Sequence, residues 1–252
     1  MSQNTKMDNR IPKIIHYCWF GDKDQQGILP QECMRTWGNL DSYQIMKWDE
    51  SNCDIHENAF VEKCYQNKNY AFVSDYFRLK ALNEYGGIYL DTDVYVNKSF
   101  DDLLKHDFFA GFIYNHSIGT AVIGAAPRNV IIQQALRDYQ DMDDCIVNNI
   151  LFTKCVESFF PSLILNGKTQ SFPEQNSIIL NKNEFESGKI IGKPYCIHMC
   201  DGSWWRENWE DKERHNKKKL MLSKTPIINV LAIIKWFAAK KKNREFKKQG
   251  KN

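Results

Sequence analysis

Two aspartates, Asp91 and Asp93, have the clearest potential for chemistry, and one threonine separates them. They follow Ile88-Tyr89-Leu90, a short apolar run that predicts a buried strand. Carboxylates at the end of a buried strand are costly unless they are paired or bound to a cation. Their hard oxygens suit Mg²⁺ or Mn²⁺. The pair therefore predicts a divalent-cation site, where a cation could bind a diphosphate and stabilise it as a leaving group.

The same aspartates allow a second chemistry, that of a phosphohydrolase with an aspartate nucleophile. In that enzyme Asp91 would attack phosphorus and Asp93 would act as acid and base. Such a motif normally lies on the first strand of its domain, whereas strands and helices are predicted before Asp91. The alternative also leaves Asp75, Arg78 and the Gly86-Gly87 pair without a role.

Asp75 and Arg78 lie on the helix that is predicted to lead into this strand. Ser74 is a good N-cap, and Asp75 is an acid in the first turn, where the helix dipole favours it. Gly86-Gly87 is predicted to stop the helix after Tyr85. Residues three apart share one side of a helix, so Asp75 and Arg78 can contact one ligand or each other. The residues of this helix that are predicted to face the core are Phe77, Ala81 and Tyr85.

Strand and helix patterns alternate along the chain, which predicts an α/β fold with a Rossmann-like, mainly parallel mixed sheet flanked by helices. Strands are predicted at residues 11–20, 43–48, 88–90, 94–96, 108–114, 121–124, 178–180 and 195–199. Helices are predicted at residues 30–40, 74–85 and 130–139 and near 59–66. The 252 residues are enough for one large domain of this kind.

The formal net charge of +3 is unevenly distributed. Residues 240–252 contain seven basic side chains and one acidic one, a net +6, so the rest of the chain carries about −3. A body with that charge is not expected to bind nucleic acid.

The eight cysteines predict free thiols rather than disulfides. Met1 to Arg10 is polar and has no apolar signal core, which favours a cytoplasmic protein with reduced cysteines. No C-x-x-C spacing occurs, which argues against a zinc ribbon. Cys196, His198 and Cys200 alternate and would share one strand face, where a structural metal site is an alternative to a satisfied buried histidine.

The C-terminal segment is predicted to be a separate unit, with residues 1–222 as the main domain and residues 223–252 as an amphipathic helix and basic tail. An apolar helix over residues 226–239 would be about 21 Å long, short of the roughly 30 Å of a hydrocarbon core. It fits an interfacial helix on an anionic membrane, peripheral to the inner face of the cell membrane, and equally a helix docked on the domain. A non-catalytic, membrane-attached scaffold is therefore a further alternative.

Three motifs in order resemble one protein family. The run from Tyr70 to Arg78 and the run from Glu84 to Asp93 resemble the sugar-binding region of the DXD-containing glycosyltransferases of family 32. The large clostridial glucosylating toxins have a related catalytic domain. The opening Ile11 to His16, with Trp19 and Gly21, is similar to the first strand of that family. Ile197-His198 followed by Gly202-Ser203-Trp204 is similar to its late motif.

The resemblance implies a GT-A fold and metal-dependent transfer of a hexose from a nucleotide sugar, with retention of configuration. It favours a UDP-sugar donor, with Mn²⁺ or Mg²⁺ as cofactor. It also implies a glycan or lipid-linked oligosaccharide acceptor in the synthesis of surface polysaccharide, either capsule or lipopolysaccharide. The segment of about residues 115–172 is expected to shape the acceptor pocket.

The resemblance also implies roles for individual residues. Those expected to bind the donor are Trp19, Asp75, Arg78, Tyr89, Asp91, Ser203 and Trp204. Those expected to bind the metal are Asp91, Asp93 and His198. Those expected to act in catalysis are Asp75, Arg78, Asp91 and Asp93. No nucleophile is identified, and electrostatics and positioning are expected to provide most of the catalysis.

Overall fold

The computed structural model describes residues 9–21, 27–140, 142, 148–187, 192–200, 214 and 216–218. Its strands are β1 (Ile14–Cys18), β2 (Gln44–Trp48), β3 (Gly87–Leu90), β4 (Val94–Val96), β5 (Phe108–Tyr114), β6 (Ser117–Ala125), β7 (Gln170–Phe172), β8 (Ser177–Leu180) and β9 (Cys196–His198). Its α-helices are α1 (Ile28–Arg35), α2 (Ala59–Gln66), α3 (Tyr70–Tyr85), α4 (Val130–Gln140), α5 (Asn148–Phe159) and α6 (Lys182–Phe185).

Seven of these strands form one mixed sheet in the order β2-β1-β3-β6-β5-β8-β7. β1 is parallel to β2 and β3, and β5 is parallel to β8. β6 is antiparallel to β3 and β5, and β7 is antiparallel to β8. The other two strands, β4 and β9, pair antiparallel in a separate ribbon. The mixed, helix-flanked sheet that the sequence predicts is confirmed.

Apolar side chains cover both faces of the sheet. Along β5, Phe108, Ala110 and Phe112 pack in the core that contains residues of α2 to α5. Phe109 points the other way and packs in a second core with Phe185. This alternation follows from the two-residue period of a strand, and it leaves the loops at the strand ends to build a site.

The helix before the aspartates begins four residues earlier than predicted. α3 starts at Tyr70, so Ser74 is not an N-cap; its hydroxyl instead donates to the Tyr70 carbonyl at 3.0 Å. Asp75 is therefore beyond the first turn and is buried. The prediction that Tyr85 faces the core is also wrong, because its side chain is 37% exposed. Phe77 and Ala81 are buried, as predicted. Tyr85 is the last residue of α3, and its ring lies beside those of His16 and Trp48.

Several element boundaries differ from the predicted ones. The predicted helix at 30–40 is α1 followed by a 3-10 turn, Thr36–Asn39. The strand predicted at 11–20 is shorter, and residues 94–96 leave the main sheet to pair with β9. The helices α5 and α6 and the strand β7 have no counterpart among the predicted elements.

The turn between α3 and β3 depends on its two glycines. Gly86 and Gly87 have φ values of 63° and 108°, a region that favours glycine. A Cβ on Gly87 would lie 2.7 Å from the carbonyl oxygen of Ile14 in β1. His16 closes the junction, because its Nε2–H donates to the Gly86 carbonyl at 2.7 Å while its Nδ1 accepts from the Trp48 indole at 3.1 Å. The turn thus sets β3 directly against β1.

No helix within the described ranges is long and apolar enough to cross a membrane. Residues 223–252, predicted to form a separate helix and tail, lie outside the described residues. The boundary after residue 222 therefore stays a prediction.

Candidate active site

Asp91 and Asp93 lie in the tight turn where β3 leaves the main sheet. The Asp91 N–H donates to the Ala121 carbonyl at 2.9 Å, which extends the pairing of β3 with β6. The Val94 N–H then donates to the Asp91 carbonyl at 3.0 Å and starts β4. Strand pairing on both sides fixes the backbone of the turn, so the two carboxylates have a defined position.

The ribbon of β4 and β9 brings His198 to these aspartates. Val94 is opposite His198 in the antiparallel register, and the Met199 N–H donates to the Asp93 carbonyl at 2.9 Å. His198 Nε2 lies 3.4 Å from Asp93 Oδ1. One ligand atom from each of Asp91, Asp93 and His198 lies within 4.8 Å of the other two.

This group fits a divalent cation. Metal–oxygen and metal–nitrogen bonds are about 2.0–2.2 Å, so ligand atoms on opposite sides of one ion lie about 4 Å apart. Two carboxylates and one imidazole are hard and intermediate donors that suit Mn²⁺ or Mg²⁺ rather than a soft ion. The structure thus brings all three predicted metal ligands into one group.

The charges of this group affect one another strongly. Burial raises the pKa of Asp91, and the neighbouring Asp93 raises it further. Burial opposes protonation of His198, but the negative field of Cys200, Glu186 and Asp93 is larger and holds its pKa well above the usual value. A cation that binds here removes the repulsion between the aspartates and takes the place of the proton on His198.

Arg78 is the centre of a buried network behind the aspartates. Its Nη2 donates to Asp75 Oδ1 at 2.8 Å and lies 3.2 Å from Asp91 Oδ1. Its Nη1 donates to the Thr120 carbonyl at 2.8 Å. The guanidinium therefore joins α3, the end of β3 and β6, and its positive charge lies between the carboxylates of Asp75 and Asp91.

Tyr89 supports both members of this pair. Its ring lies under the guanidinium of Arg78, with 4.5 Å between the Arg78 Cζ and the ring centroid. Its hydroxyl donates to Asp91 Oδ1 at 2.9 Å. Burial raises the pKa of Tyr89 well above the usual value, so the phenol stays protonated and remains a donor.

Asp75 also accepts a hydrogen bond from Asn148, which Tyr139 supports in turn. Asn148, at the start of α5, donates through Nδ2 to Asp75 Oδ1 at 2.6 Å. Tyr139, in α4, donates to Asn148 Oδ1 at 2.5 Å. Burial raises the pKa of Asp75 to about 6, although Arg78 opposes that shift. The chain of bonds fixes the Asp75 carboxylate beside the cation group.

The predicted site residues divide into three sets. Asp75, Arg78, Tyr89 and Asp91 form the buried network, and Asp91 also joins Asp93 and His198 in the cation group. Trp19 follows β1 and is partly buried. Its backbone N–H donates to the Trp48 carbonyl at 2.9 Å. Ser203 and Trp204 lie outside the described residues. The role of each residue towards a donor stays a prediction.

One segment of the chain is similar to a known protein family. Residues 29–110 match the family model described as a glycosyltransferase sugar-binding region containing a DXD motif. This segment resembles the sugar-binding region of the DXD-containing glycosyltransferases. The matched residues include α3, β3 and Asp91-Thr92-Asp93. The resemblance read from the sequence is confirmed.

A curated relative of this chain is glucan organizing enzyme 1 of Cryptococcus neoformans var. grubii serotype A, strain H99. The two are 34% identical over 86 residues, which cover 30% of this chain and 24% of the relative. The match therefore spans about a quarter of the length of that protein.

The chain shares its fold with a solved glycosyltransferase. PaToxG glycosyltransferase is 20% identical with a TM-score of 0.52, over 61% of this chain and 71% of that chain. The apo form of the glycosyltransferase GlyE in Streptococcus pneumoniae TIGR4 is 13% identical with a TM-score of 0.45, over 91% of this chain and 64% of that chain. The likeness to PaToxG shows that this chain has the predicted GT-A fold.

The site also contains residues that the sequence analysis did not assign to it. Asn148 and Thr120 lie outside the matched segment, and no local pattern marks them. Glu186 is buried, and its Oε2 lies 2.8 Å from His198 Nδ1. Cys200, whose alternation with His198 the sequence does show, has its Sγ 3.7 Å from the same nitrogen.

Proposed function

We propose that this glycosyltransferase transfers a hexose from a nucleotide sugar, preferably a UDP-sugar, with retention of configuration and with Mn²⁺ or Mg²⁺ as cofactor. The single observation that supports this proposal most strongly is the convergence of Asp91, Asp93 and His198 within 4.8 Å, directly beside the buried Asp75–Arg78 pair. A cation site next to a fixed ion pair could bind a diphosphate and a sugar at the same time.

Different side chains would bind the cation and the sugar. Asp91, Asp93 and His198 would hold the cation, which supplies positive charge to the departing diphosphate. Asp75 accepts hydrogen bonds, so it is suited to sugar hydroxyls, and Asn148 keeps its carboxylate in place. Arg78 supplies a permanent positive charge close to the site. These fixed charges need no reorganisation during transfer, which is the main source of catalysis in such a site.

We extend the proposal to the setting of the enzyme. The acceptor is a glycan or a lipid-linked oligosaccharide, and the product contributes to a surface polysaccharide such as capsule or lipopolysaccharide. The enzyme works in the cytoplasm, on the inner face of the cell membrane, to which the basic C-terminal segment binds. The uneven charge of the sequence supports this setting, with a net +6 in residues 240–252.

Calorimetric titration of UDP into the protein, with and without Mn²⁺, tests the proposal. We expect UDP binding that requires Mn²⁺ and that falls by at least about tenfold in Asp93→Asn, because that variant loses a charged ligand. Asp41→Asn is the matched control, since Asp41 is exposed and outside the cation group. Normal binding in Asp93→Asn would contradict the metal assignment.

A second arm distinguishes the transferase from the phosphohydrolase that the aspartates also allow. The protein is incubated with a UDP-hexose panel and, separately, with a generic aryl phosphate. Release of UDP from one donor without hydrolysis of the aryl phosphate supports the transferase. Metal-dependent hydrolysis of the aryl phosphate, with no UDP binding, would replace it with the phosphohydrolase.

A further inference from the structure

A second group of potential metal ligands shares His198 with the cation group. It consists of Glu186, His198 and Cys200, whose ligand atoms lie within 4.8 Å of one another. Asp93 approaches the Nε2 side of the imidazole, whereas Glu186 and Cys200 approach the Nδ1 side. We propose that Glu186, His198 and Cys200 form a zinc-binding site, and that zinc there withdraws His198 from Asp91 and Asp93.

The geometry of this group is close to that of a tetrahedral zinc site. Zn–S and Zn–N bonds of about 2.3 Å and 2.0–2.1 Å at a tetrahedral angle place sulfur and nitrogen about 3.6 Å apart. The observed distance from Cys200 Sγ to His198 Nδ1 is 3.7 Å. Glu186 Oε2 is 2.8 Å from the same nitrogen and has to move back by about 0.5 Å for the ion to enter.

Two features of the fold favour zinc binding at this site. Glu186 is 6% exposed and is packed against β6 at Gly119, where a Cβ would lie 2.9 Å from Glu186 Oε1. Its carboxylate is therefore fixed beside the imidazole. Cys200 is exposed, so an ion and a completing water can reach the sulfur. Its thiol releases a proton to solvent as the Zn–S bond forms.

The two neighbouring sites differ in the chemistry of their metal ligands. A thiolate, an imidazole and a carboxylate form a set that favours Zn²⁺, whereas two aspartates and an imidazole suit Mn²⁺ or Mg²⁺. Two different ions are therefore preferred on the two sides of one histidine.

A neutral imidazole offers only one lone pair, so His198 can serve only one of these ions at a time. When His198 Nδ1–H donates a hydrogen bond to Glu186, the lone pair of Nε2 faces Asp93 and is available to the proposed donor-site cation. When zinc takes Nδ1, the proton resides on Nε2, which then cannot bind that cation. This competition rests on the proposed function of Asp91 and Asp93, whereas the zinc site itself does not.

Cobalt titration of the full-length protein tests the zinc site without nucleotide or turnover. Co²⁺ replaces Zn²⁺ and gives an intense thiolate-to-cobalt charge-transfer band when a cysteine is a ligand. We expect this band in the wild type, its removal by added Zn²⁺, and its loss in Cys200→Ser. Asp93→Asn and Cys53→Ser are the controls that should retain it, since the Cys53 thiol packs in the core on the α2 to α5 side of the sheet. No band in the wild type, or an equal band in Cys200→Ser, would overturn the zinc site.

Mn²⁺ binding, followed by the resonance of the free ion, tests the competition. We expect one equivalent of Zn²⁺ to release bound Mn²⁺ from the wild type, and Cys200→Ser to require at least about tenfold more zinc. Zinc that binds with the cysteine-dependent band but leaves Mn²⁺ in place would refute the competition. A wild type that shows the band but never binds Mn²⁺ or UDP would instead refute the proposed function and leave the zinc site standing.

Discussion

Arg78 is the residue on which the charge balance of the site depends. It lies within 2.8 Å of Asp75 and 3.2 Å of Asp91, and all three belong to the segment just before and after the Gly86-Gly87 turn. A buried pair of this kind adds little net stability, but removing one partner leaves an uncompensated charge. Arg78 therefore constrains the conformation of the site more than it stabilises the fold.

We predict that Arg78→Met lowers the free energy of unfolding by about 3–5 kcal/mol, because it leaves Asp75 buried without its cation. Adding Asp75→Asn to this variant should restore part of the loss, since the charge is then removed from both partners. Urea denaturation of the wild type, the two single variants and the double variant measures the coupling. Strictly additive effects would show that the pair is not coupled.

Asp75 should also give the protein a specific pH dependence. Its pKa is about 6 in the folded chain and about 3.9 in an unfolded one. Between about pH 4 and pH 6 the folded state keeps a proton that the unfolded state releases, so this residue lowers stability as the pH rises through that window. Above pH 6 its contribution is constant.

The measurement is the free energy of unfolding of the wild type minus that of Asp75→Asn, from pH 4 to pH 7. Asparagine can still accept the hydrogen bond from Asn148 but does not titrate in this range. We expect the difference to become less favourable to the wild type by about 2 kcal/mol between pH 4 and pH 7. A difference that stays constant would mean that the folded pKa is not raised.

At the scale of elements, the junction of α3 with β3 and the ribbon of β4 with β9 position the site. The first places Asp91 beside the helix that carries Asp75 and Arg78. The second brings His198 from more than a hundred residues further along the chain. Both depend on backbone contacts, so they should respond to changes that leave the functional side chains intact.

We predict that Gly87→Ala destabilises the protein by about 1–3 kcal/mol, because a Cβ would lie 2.7 Å from the Ile14 carbonyl and because φ is 108°. Thermal unfolding measures the loss. Gly38→Ala is the matched control, since nothing lies within 4 Å of a Cβ there. Equal melting temperatures for Gly87→Ala and Gly38→Ala would show that β3 can move away from β1.

At the scale of the whole molecule, a body of negative charge and a tail of positive charge belong to one chain. An acidic cation site attracts divalent ions, while the basic segment favours an anionic surface such as a membrane of acidic lipids. The proposed binding of a nucleotide sugar and the proposed binding of a membrane would therefore use separate regions of the chain.

We predict that Lys240→Gln, Lys241→Gln and Lys242→Gln, combined in the full chain, weaken binding to phosphatidylserine vesicles. Each lysine near such a surface contributes about 1 kcal/mol. Vesicle sedimentation measures the effect, and neutral phosphatidylcholine vesicles and raised salt are the controls. Metal-dependent UDP binding should be unchanged. Equal sedimentation of the variant and the wild type would refute a membrane role for these lysines.

The sequence by itself determined the α/β class, most strands of the sheet and the local part of the site. Asp75, Arg78 and the Asp91-Thr92-Asp93 motif could be recognised because they lie within 20 residues of one another, on elements whose periodicity and glycines are visible. Even there, the predicted start of α3 and the predicted burial of Tyr85 were wrong. Tertiary packing decides both, and it overrides local signals such as an N-cap residue.

Only the tertiary structure decided which distant residues complete the site. Asn148 reaches Asp75 across 73 positions, and Glu186 meets His198 through the packing of α6 beside β9. The same structure decides that His198 has Asp93 on one side of its ring and Cys200 on the other. Such contacts depend on sheet order and strand register, which are set by long-range packing and leave no periodic signal in the sequence.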